Sequence, residues 1–282
     1  MQPPWHFRLA KDLIRRGVRG PGLWLRLAHR LGLLNCVATY RFEHDVDIDV
    51  PLSRWENLWD AGEVRDYEID LFDELAPLLR EQAAIATLID CGADIGLFPL
   101  LLAARGTRCQ RVIAFEPNPE PLAVLRTNIL RLDPNNQVLS QAVADFSGRG
   151  RLVSPAYDAS AHACHLVPDE AGPIDVTTLD ALNLPPGDLV LKVDVEGGEL
   201  EVIRGGLATL RRASRLTVVL EAHPRVAERT GIDPLEAVRQ IAELRQVTVT
   251  VAEHPAEPVK LAQSFFQQFP QTIANLIVTS VS

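Results

Sequence analysis

Long apolar runs are missing from this sequence. The longest, Leu97–Ala104, has eight residues, against the roughly 20 that a helix needs to span a bilayer. Cysteine is sparse too: Cys36, Cys91, Cys109 and Cys164 lie far apart with no CxxC pair. That excludes a disulfide framework and a zinc-finger spacing, and it points to a reducing compartment. The N-terminus alternates charged with apolar residues and lacks an uninterrupted hydrophobic stretch, so no signal peptide is expected and the predicted location is the cytoplasm. Positive charge is the minority sign. Against 37 Asp and Glu stand 28 Lys and Arg, a net of −9, which argues against a sequence-independent grip on nucleic acid.

What is present suits a globular chain: 282 residues, 47% hydrophobic, 17 Gly and 20 Pro, proportions that exclude a collagenous, coiled-coil or disordered protein. The charge is uneven. Residues 1–40 hold seven Lys or Arg and only Asp12, a net of +6, which leaves −15 on the remainder. Phe7–Arg19 and Leu23–Leu34 read as basic amphipathic helices broken at Gly20-Pro21-Gly22. Such a pair reads first as the solvated face of packed helices, and otherwise suits association with an anionic membrane surface, with a second copy in a homo-oligomer, or with the acidic body of the chain itself. Arg41–Val50 alternates like a small strand, and Tyr67–Leu79 has helical spacing.

From Thr87 one rhythm sets in: a short apolar run, a turn, a helical stretch. Thr87–Cys91, Arg111–Phe115, Val138–Val143, Leu189–Val193 and Leu216–Leu220 read as strands buried on both faces. Helical candidates lie near 97–105, 119–131, 198–212 and 233–245. This alternation predicts a doubly wound α/β sheet. Val247–Val251 and Ala274–Val281 read as a terminal hairpin with no helical pattern between them. The change of rhythm divides the chain into an N-terminal basic helical arm or cap, 1–86, and an α/β domain, 87–282.

The sharpest local signal is Leu88-Ile89-Asp90-Cys91-Gly92-Ala93-Asp94-Ile95-Gly96. A buried strand ends at Asp90, and two glycines let the backbone turn into a helix whose first amides face a ligand. After the next strand comes Phe115-Glu116-Pro117-Asn118, placing a carboxylate where open α/β sheets take the hydroxyls of a ribose. The nucleotide belongs to NAD or to S-adenosylmethionine. The dinucleotide pattern GxGxxG is absent, since the glycines are spaced Gly92-x-x-x-Gly96 around Asp94, so S-adenosylmethionine is favoured. His162-Ala163-Cys164-His165 offers three potential metal ligands, but at a spacing that fits neither a zinc finger nor HExxH; a loop facing the substrate is the better reading. No GxSxG elbow is present.

These blocks together resemble a family. IDCGADIGLF resembles the DxGANxGxF signature of FkbM-type methyltransferases, FEPNPEPLAVLRTNI their FEPxPxxxxxLxxN segment, and Val176–Asp180 their VxTLD. LKVDVEGGELEVIRG is similar to their KxDVEGxExxVLxG block, and Leu220-Glu221-Ala222-His223 to their xExH. The blocks occur in family order over residues 67–223. Asp94 stands where the family usually has Asn, and Pro99 where a small polar residue is commoner.

The resemblance implies a class I Rossmann-like methyltransferase: a seven-stranded, mostly parallel sheet with a terminal antiparallel hairpin, capped by the N-terminal helices. It implies S-adenosylmethionine as methyl donor, S-adenosylhomocysteine as product, and a hydroxyl acceptor on a sugar, glycan or natural product. Carried over by position, Asp90, Gly92, Ala93, Asp94 and Gly96 line the methionine side of the cofactor. Glu116 holds the ribose, with Pro117 beside it in the cofactor site; Asp145 contacts the adenine, with Asn118 close by; Tyr67 and Glu68 close over the cofactor.

The acceptor hydroxyl must shed a proton, which calls for a base at the carboxyl ends of the central strands. The candidates are Asp194, Glu196, Glu221 and His223. His223 has the ordinary pKa of a base near neutrality. The carboxylates orient it or, less favoured, hold a divalent ion. Lys192 is expected to point into the sheet or pair with a carboxylate, and Glu199 to cap the next helix. Two other readings stand beside the enzyme: a non-catalytic protein that binds the same cofactor and, further off, an NAD-dependent oxidoreductase.

Overall fold

The computed structural model describes residues 36–52, 61–81, 85–154 and 164–280, with scattered positions before residue 36. The two basic helices expected over 7–19 and 23–34 lie largely outside the described residues. The chain divides into two compact units, residues 1–69 and 70–282. That division falls earlier than the change of rhythm at residue 86. The helix Ile69–Arg80 carries an apolar face of Leu71, Phe72, Leu75, Ala76 and Leu79, and Phe72 packs on Phe98 of the second unit with ring centroids 5.9 Å apart.

In the first unit the single strand expected over 41–50 is instead a hairpin. Strand β1 (Val37–Arg41) pairs antiparallel with β2 (Asp47–Pro51). The chain reverses because His44 and Asp45 both take left-handed φ values of 57°, which Asp and His tolerate better than most residues. Arg41 and Asp47 face each other across the strand ends at 2.8 Å. Helix α1 (Ala61–Arg65) sets Arg65 over the Phe42 ring, 5.6 Å from its centroid, and against Glu43 at 3.1 Å.

The second unit opens with α2 (Ile69–Arg80) and continues β3 (Thr87–Cys91), α3 (Leu97–Ala104), β4 (Val112–Phe115), α4 (Leu122–Leu132) and β5 (Gln137–Leu139). Four short strands follow: β6 (Gln141–Val143), β7 (Gly148–Val153), β8 (His165–Pro168) and β9 (Ile174–Thr177). The rhythm then returns with β10 (Asp188–Val193), α5 (Glu199–Arg204), α6 (Leu207–Arg212), β11 (Arg215–Ala222), α7 (Pro224–Thr230), α8 (Leu235–Leu244), β12 (Val247–Val251), α9 (Phe265–Gln268) and β13 (Ala274–Ser280). Seven strands form one mixed sheet in the order β12-β13-β11-β10-β3-β4-β5. Neighbours from β11 to β5 run parallel, and β13 runs antiparallel to both β11 and β12. The central strands are apolar on both sides because helices cover both faces, and their side chains build the core around Ile89, Ile113, Leu191, Val218 and Leu276.

Three expectations are corrected here, and one helix is new. The run 138–143 is not one strand: β5 ends at Leu139, and after Ser140 the chain enters a second, four-stranded sheet ordered β6-β9-β7-β8. The helix expected over 198–212 breaks into α5 and α6 at Gly205-Gly206, where Gly206 leaves the helical region at φ −122° and Gly205 lets the chain lie against the Ala144 carbonyl. The last two strands are joined through α9, whose Phe265 is buried against Phe269. Helix α7 was not anticipated at all. It starts at Pro224, whose fixed φ suits a first helical position.

Candidate functional site

Register places the site. Leu139, Phe115, Cys91, Val193 and Leu220 are successive partners across β5, β4, β3, β10 and β11. The residues that come next in each strand therefore emerge level along one carboxyl edge: Glu116, Gly92, Asp194 and Glu221. Backbone bonds carry the ladder one step further, Glu116 N–H to the Leu139 carbonyl at 3.1 Å and Asp194 N–H to the Cys91 carbonyl at 3.0 Å. Asp90 and Lys192 are also register partners. With a period of two along each strand, Asp90, Lys192, Asp194, Glu116 and Glu221 share one face of the sheet at that edge.

The turn after β3 is tight for packing reasons. Gly92 has φ 83°, and a Cβ there would collide with the Asp194 carbonyl, so glycine lets the turn lie against the end of β10. Gly96 has φ 85°, and its Cβ would press on Leu125 and Ile129 of α4 at 3.1 Å. Gly92 and Ala93 both donate to the Phe115 carbonyl, and Asp94 takes φ 52°. The buried Asn128 braces the turn from α4, its Nδ2 donating to the Ile95 carbonyl at 2.8 Å. Asn128 lies in the FEPxPxxxxxLxxN block of the sequence, but its role emerges only from this contact. Helix α3 starts at Gly96 without a side-chain cap, which leaves its first amides for a ligand or water.

Glu116 is 7% exposed. Its Oε2 accepts the Asp94 amide and its Oε1 the Asn118 amide, each at 2.8 Å. The carboxylate thereby clips the glycine turn to the loop after β4, with Pro117 in between. Asp145 is exposed just beyond β6, where the neighbouring Ala144 carbonyl approaches Gly205. Tyr67 and Glu68 belong to the first unit, and Glu68 has φ 45°.

At the end of β10 the Lys192 ammonium, with a side chain 4% exposed, meets Asp194 Oδ2 at 3.0 Å. Glu196 (φ 59°) and Gly197 (φ 108°) turn the chain sharply. The Glu196 carbonyl accepts from Arg229 of α7. Glu199 Oε1 accepts the amides of Val195 and Gly197 at 3.3 and 2.9 Å. Glu199 thus holds the loop that leads into α5, and burial pushes its carboxyl above the ordinary range.

His223 follows β11 and caps α7, its Nδ1 accepting the Arg225 amide at 3.1 Å. With Nδ1 so engaged, the neutral ring carries its proton on Nε2. Burial lowers the ring's pKa, Arg225 and Arg229 add to the lowering, and Asp194 opposes it. Asp194 and Glu221, the carboxylates a divalent ion would take, stand on adjacent strand ends. The edge as a whole offers fixed carboxylates to a cationic, hydroxyl-bearing ligand, and a histidine that donates from Nε2. No helix among the described residues is long and apolar enough to cross a membrane.

The chain is similar to the hexuronic acid methyltransferase AglP of Haloferax volcanii, 28% identical over 202 residues that cover 68% of this chain and 75% of that protein. Among solved structures it is similar to methyltransferase FkbM from Methylobacillus flagellatus KT, at 17% identity and a TM-score of 0.45 over 69% of this chain. The aligned part is 43% of that chain, so less than half of its length is spanned. It is also similar to the tRNA (uracil-54, C5)-methyltransferase of Pyrococcus abyssi in complex with S-adenosyl-L-homocysteine, at 12% identity and a TM-score of 0.41 over 87% of this chain and 44% of that one. The methyltransferase FkbM domain matches residues 90–248, from the buried Asp90 at the end of β3 to the start of β12 and across every strand end of the site. With more than half of its length matched, the chain belongs to the FkbM methyltransferase family.

Proposed function

We propose that this protein is an S-adenosylmethionine-dependent methyltransferase of class I Rossmann-like architecture that methylates a hydroxyl of a sugar or glycan. One observation carries the reading: the Glu116 carboxylate is fixed at the carboxyl edge beside the glycine turn by two backbone amides. A carboxylate has about four lone-pair positions. Those two amides hold it at the carboxyl edge, where open α/β sheets take the paired hydroxyls of a ribose.

The donor set suits this cofactor on other counts. The edge carries Asp94, Glu116, Asp194 and Glu221, which favour a ligand bearing an ammonium and a sulfonium. The Asp94 amide, which a dinucleotide phosphate would need, is already given to Glu116. When bound, the cofactor supplies an electrophilic methyl group. Asp194, held by Lys192, is placed to accept a hydrogen bond from the acceptor and orient it, and alignment of this kind supplies much of the acceleration in group transfer. A sugar hydroxyl as acceptor accords with the hexuronic acid activity for which the similar protein of Haloferax volcanii is named.

The test is calorimetry of the purified protein with S-adenosylmethionine, S-adenosylhomocysteine and NAD, followed by transfer of labelled methyl to a panel of uronic acid and neutral methyl glycosides. Binding of the first two, no binding of NAD and label on a glycoside oxygen are expected. Binding of NAD alone would reject the reading.

A further inference from the structure

We propose that a cavity beneath α7 receives an uncharged one-carbon group of the acceptor sugar, a hydroxymethyl or a methyl, and turns away the carboxylate of a uronic acid; this rests on the methyltransferase reading above. The cavity lies where α5, α7 and α8 meet the end of β11 and measures about 30 Å³, room for roughly two or three groups of water size. Leu200, Leu220 and Val226 form part of its apolar wall, and Glu199, Glu221, His223 and Asp233 line the rest.

The cavity adjoins the place where the acceptor reacts. Glu221 belongs both to its lining and to the carboxyl edge, and a carboxylate oxygen of Glu221 lies within 4.8 Å of one of Asp194. Gly197 and Glu199, three and five residues after Asp194 on the same loop, line the cavity too. A hydroxyl held by Asp194 therefore stands one strand away, and neighbouring strands are about 4.8 Å apart. A substituent on the adjacent ring carbon reaches the cavity, whereas the sugar ring itself is too large to enter.

Charge decides which substituent fits. Among the described residues that line the cavity, Glu199, Glu221 and Asp233 are acidic and none is Lys or Arg. Asp233 is fixed at the wall, its two oxygens accepting the amides of Leu235 and Phe265 at 2.9 and 2.8 Å. His223 brings no positive charge at pH 7, because burial lowers its pKa below the ordinary 6.5 and Arg225 and Arg229 lower it further. Arg229 lies outside the lining and donates to the Glu196 carbonyl. Glu199 shows what such surroundings do to an anion: burial pushes its carboxyl above the ordinary range, and Asp194 adds to the rise, although backbone amides favour the charge. A carboxylate brought in by a ligand would meet the same desolvation and the repulsion of the three acidic side chains. An uncharged group meets neither, and its carbon lies against the apolar wall.

Binding without turnover tests the inference on the full chain. With S-adenosylhomocysteine saturating, NMR titration compares the methyl glycosides of a hexose, its 6-deoxy form and its uronic acid, which differ at one carbon, in the gluco, galacto and manno series. In the series that binds, the two uncharged forms are expected to bind at least roughly tenfold more tightly than the uronate, the effect of one pKa unit of like-charge repulsion. Ala227→Leu, which fills the cavity from α7, is expected to weaken the uncharged glycosides at least about tenfold and to leave the Kd for S-adenosylhomocysteine within about twofold. A uronate bound as tightly as the hexose, an Ala227→Leu variant that binds the hexose as wild type does, or no binding in any of the three series overturns the role of the cavity. Failure of the wild-type protein to bind S-adenosylhomocysteine instead overturns the methyltransferase reading itself.

Discussion

The carboxylate of Glu116 reaches back 22 residues along the chain to accept the amide of Asp94 at 2.8 Å. This bond makes Glu116, the residue proposed to hold the ribose, part of the glycine turn. Loss of the side chain therefore acts on affinity and on stability together.

Glu116→Ala leaves the Asp94 and Asn118 amides without their acceptor, at about 1–3 kcal/mol of folding stability. The proposed ribose site also loses its two charge-assisted acceptors, so the Kd for S-adenosylhomocysteine should rise at least about tenfold. Glu116→Gln keeps one carbonyl oxygen and should fall between. Urea unfolding and calorimetry on the same preparations check both expectations; a Glu116→Ala variant that binds as wild type removes the residue from the site.

Gly92 and Gly231 make a matched pair. Both have positive φ, 83° and 70°, but a Cβ on Gly231 meets nothing within 4 Å, whereas one on Gly92 strikes the Asp194 carbonyl. Gly231→Ala should cost only the left-handed penalty of roughly 1–2 kcal/mol. Gly92→Ala must in addition separate β3 from the end of β10, and should be markedly less stable by chemical denaturation. Equal costs would mean that the turn yields freely.

The Lys192–Asp194 pair sets a third expectation. Asp194→Asn takes the carboxylate charge away from an ammonium whose side chain is 4% exposed. Breaking a buried pair costs roughly 3–5 kcal/mol, and the low end applies because Asp194 itself is 26% exposed. The double variant Lys192→Met with Asp194→Asn should recover part of that loss. A double variant less stable than Asp194→Asn alone would show that Lys192 is held by other groups.

Glu199 gives a pH signature. Its folded pKa is raised by burial above the ordinary 4.5, so its contribution is fully present below the unfolded value and is lost as pH rises through the folded one. Glu199→Gln keeps an oxygen for the Val195 and Gly197 amides but cannot ionise. Relative to wild type it should gain stability as pH rises from about 4.5 through the raised pKa, and level off above it. Unfolding curves from pH 4 to 8 read the difference directly; a flat difference refutes the raised value.

The sequence made the parallel core legible because its strands are short apolar runs and its turns carry glycine in pattern. The bounds of Thr87–Cys91 and the pairing of Lys192 with a carboxylate follow from the sequence, whereas Glu199, expected to cap α5, instead accepts the amides of Val195 and Gly197 in the loop before it, and α5 has no side-chain cap. The second sheet escaped because β7 is Gly148-Arg149-Gly150-Arg151-Leu152-Val153, a strand without an apolar face of its own. Its buried positions instead come from cross-strand packing of Ala142, Ala144 and Val176 with Leu166 and Ile174. The break between α5 and α6 escaped for a related reason: what Gly205 avoids is a carbonyl some sixty residues earlier in the chain. His223 shows the limit at the site, since residue type alone cannot tell a helix cap from a base.

The strand order has a consequence for synthesis. β13 lies between β11 and β12, so a growing chain that has already produced β12 cannot yet place it. Until residues 274–280 leave the ribosome, β11 shows an open edge, with Leu216, Val218 and Leu220 already in the core on its face. Chains begin folding from their N-terminal side as they are made, and an unpaired edge of this kind invites wrong partners. A nascent chain stalled just short of Ala274 should thus be the species that chaperones hold longest, although the whole carboxyl edge from β3 to β5 has by then been completed.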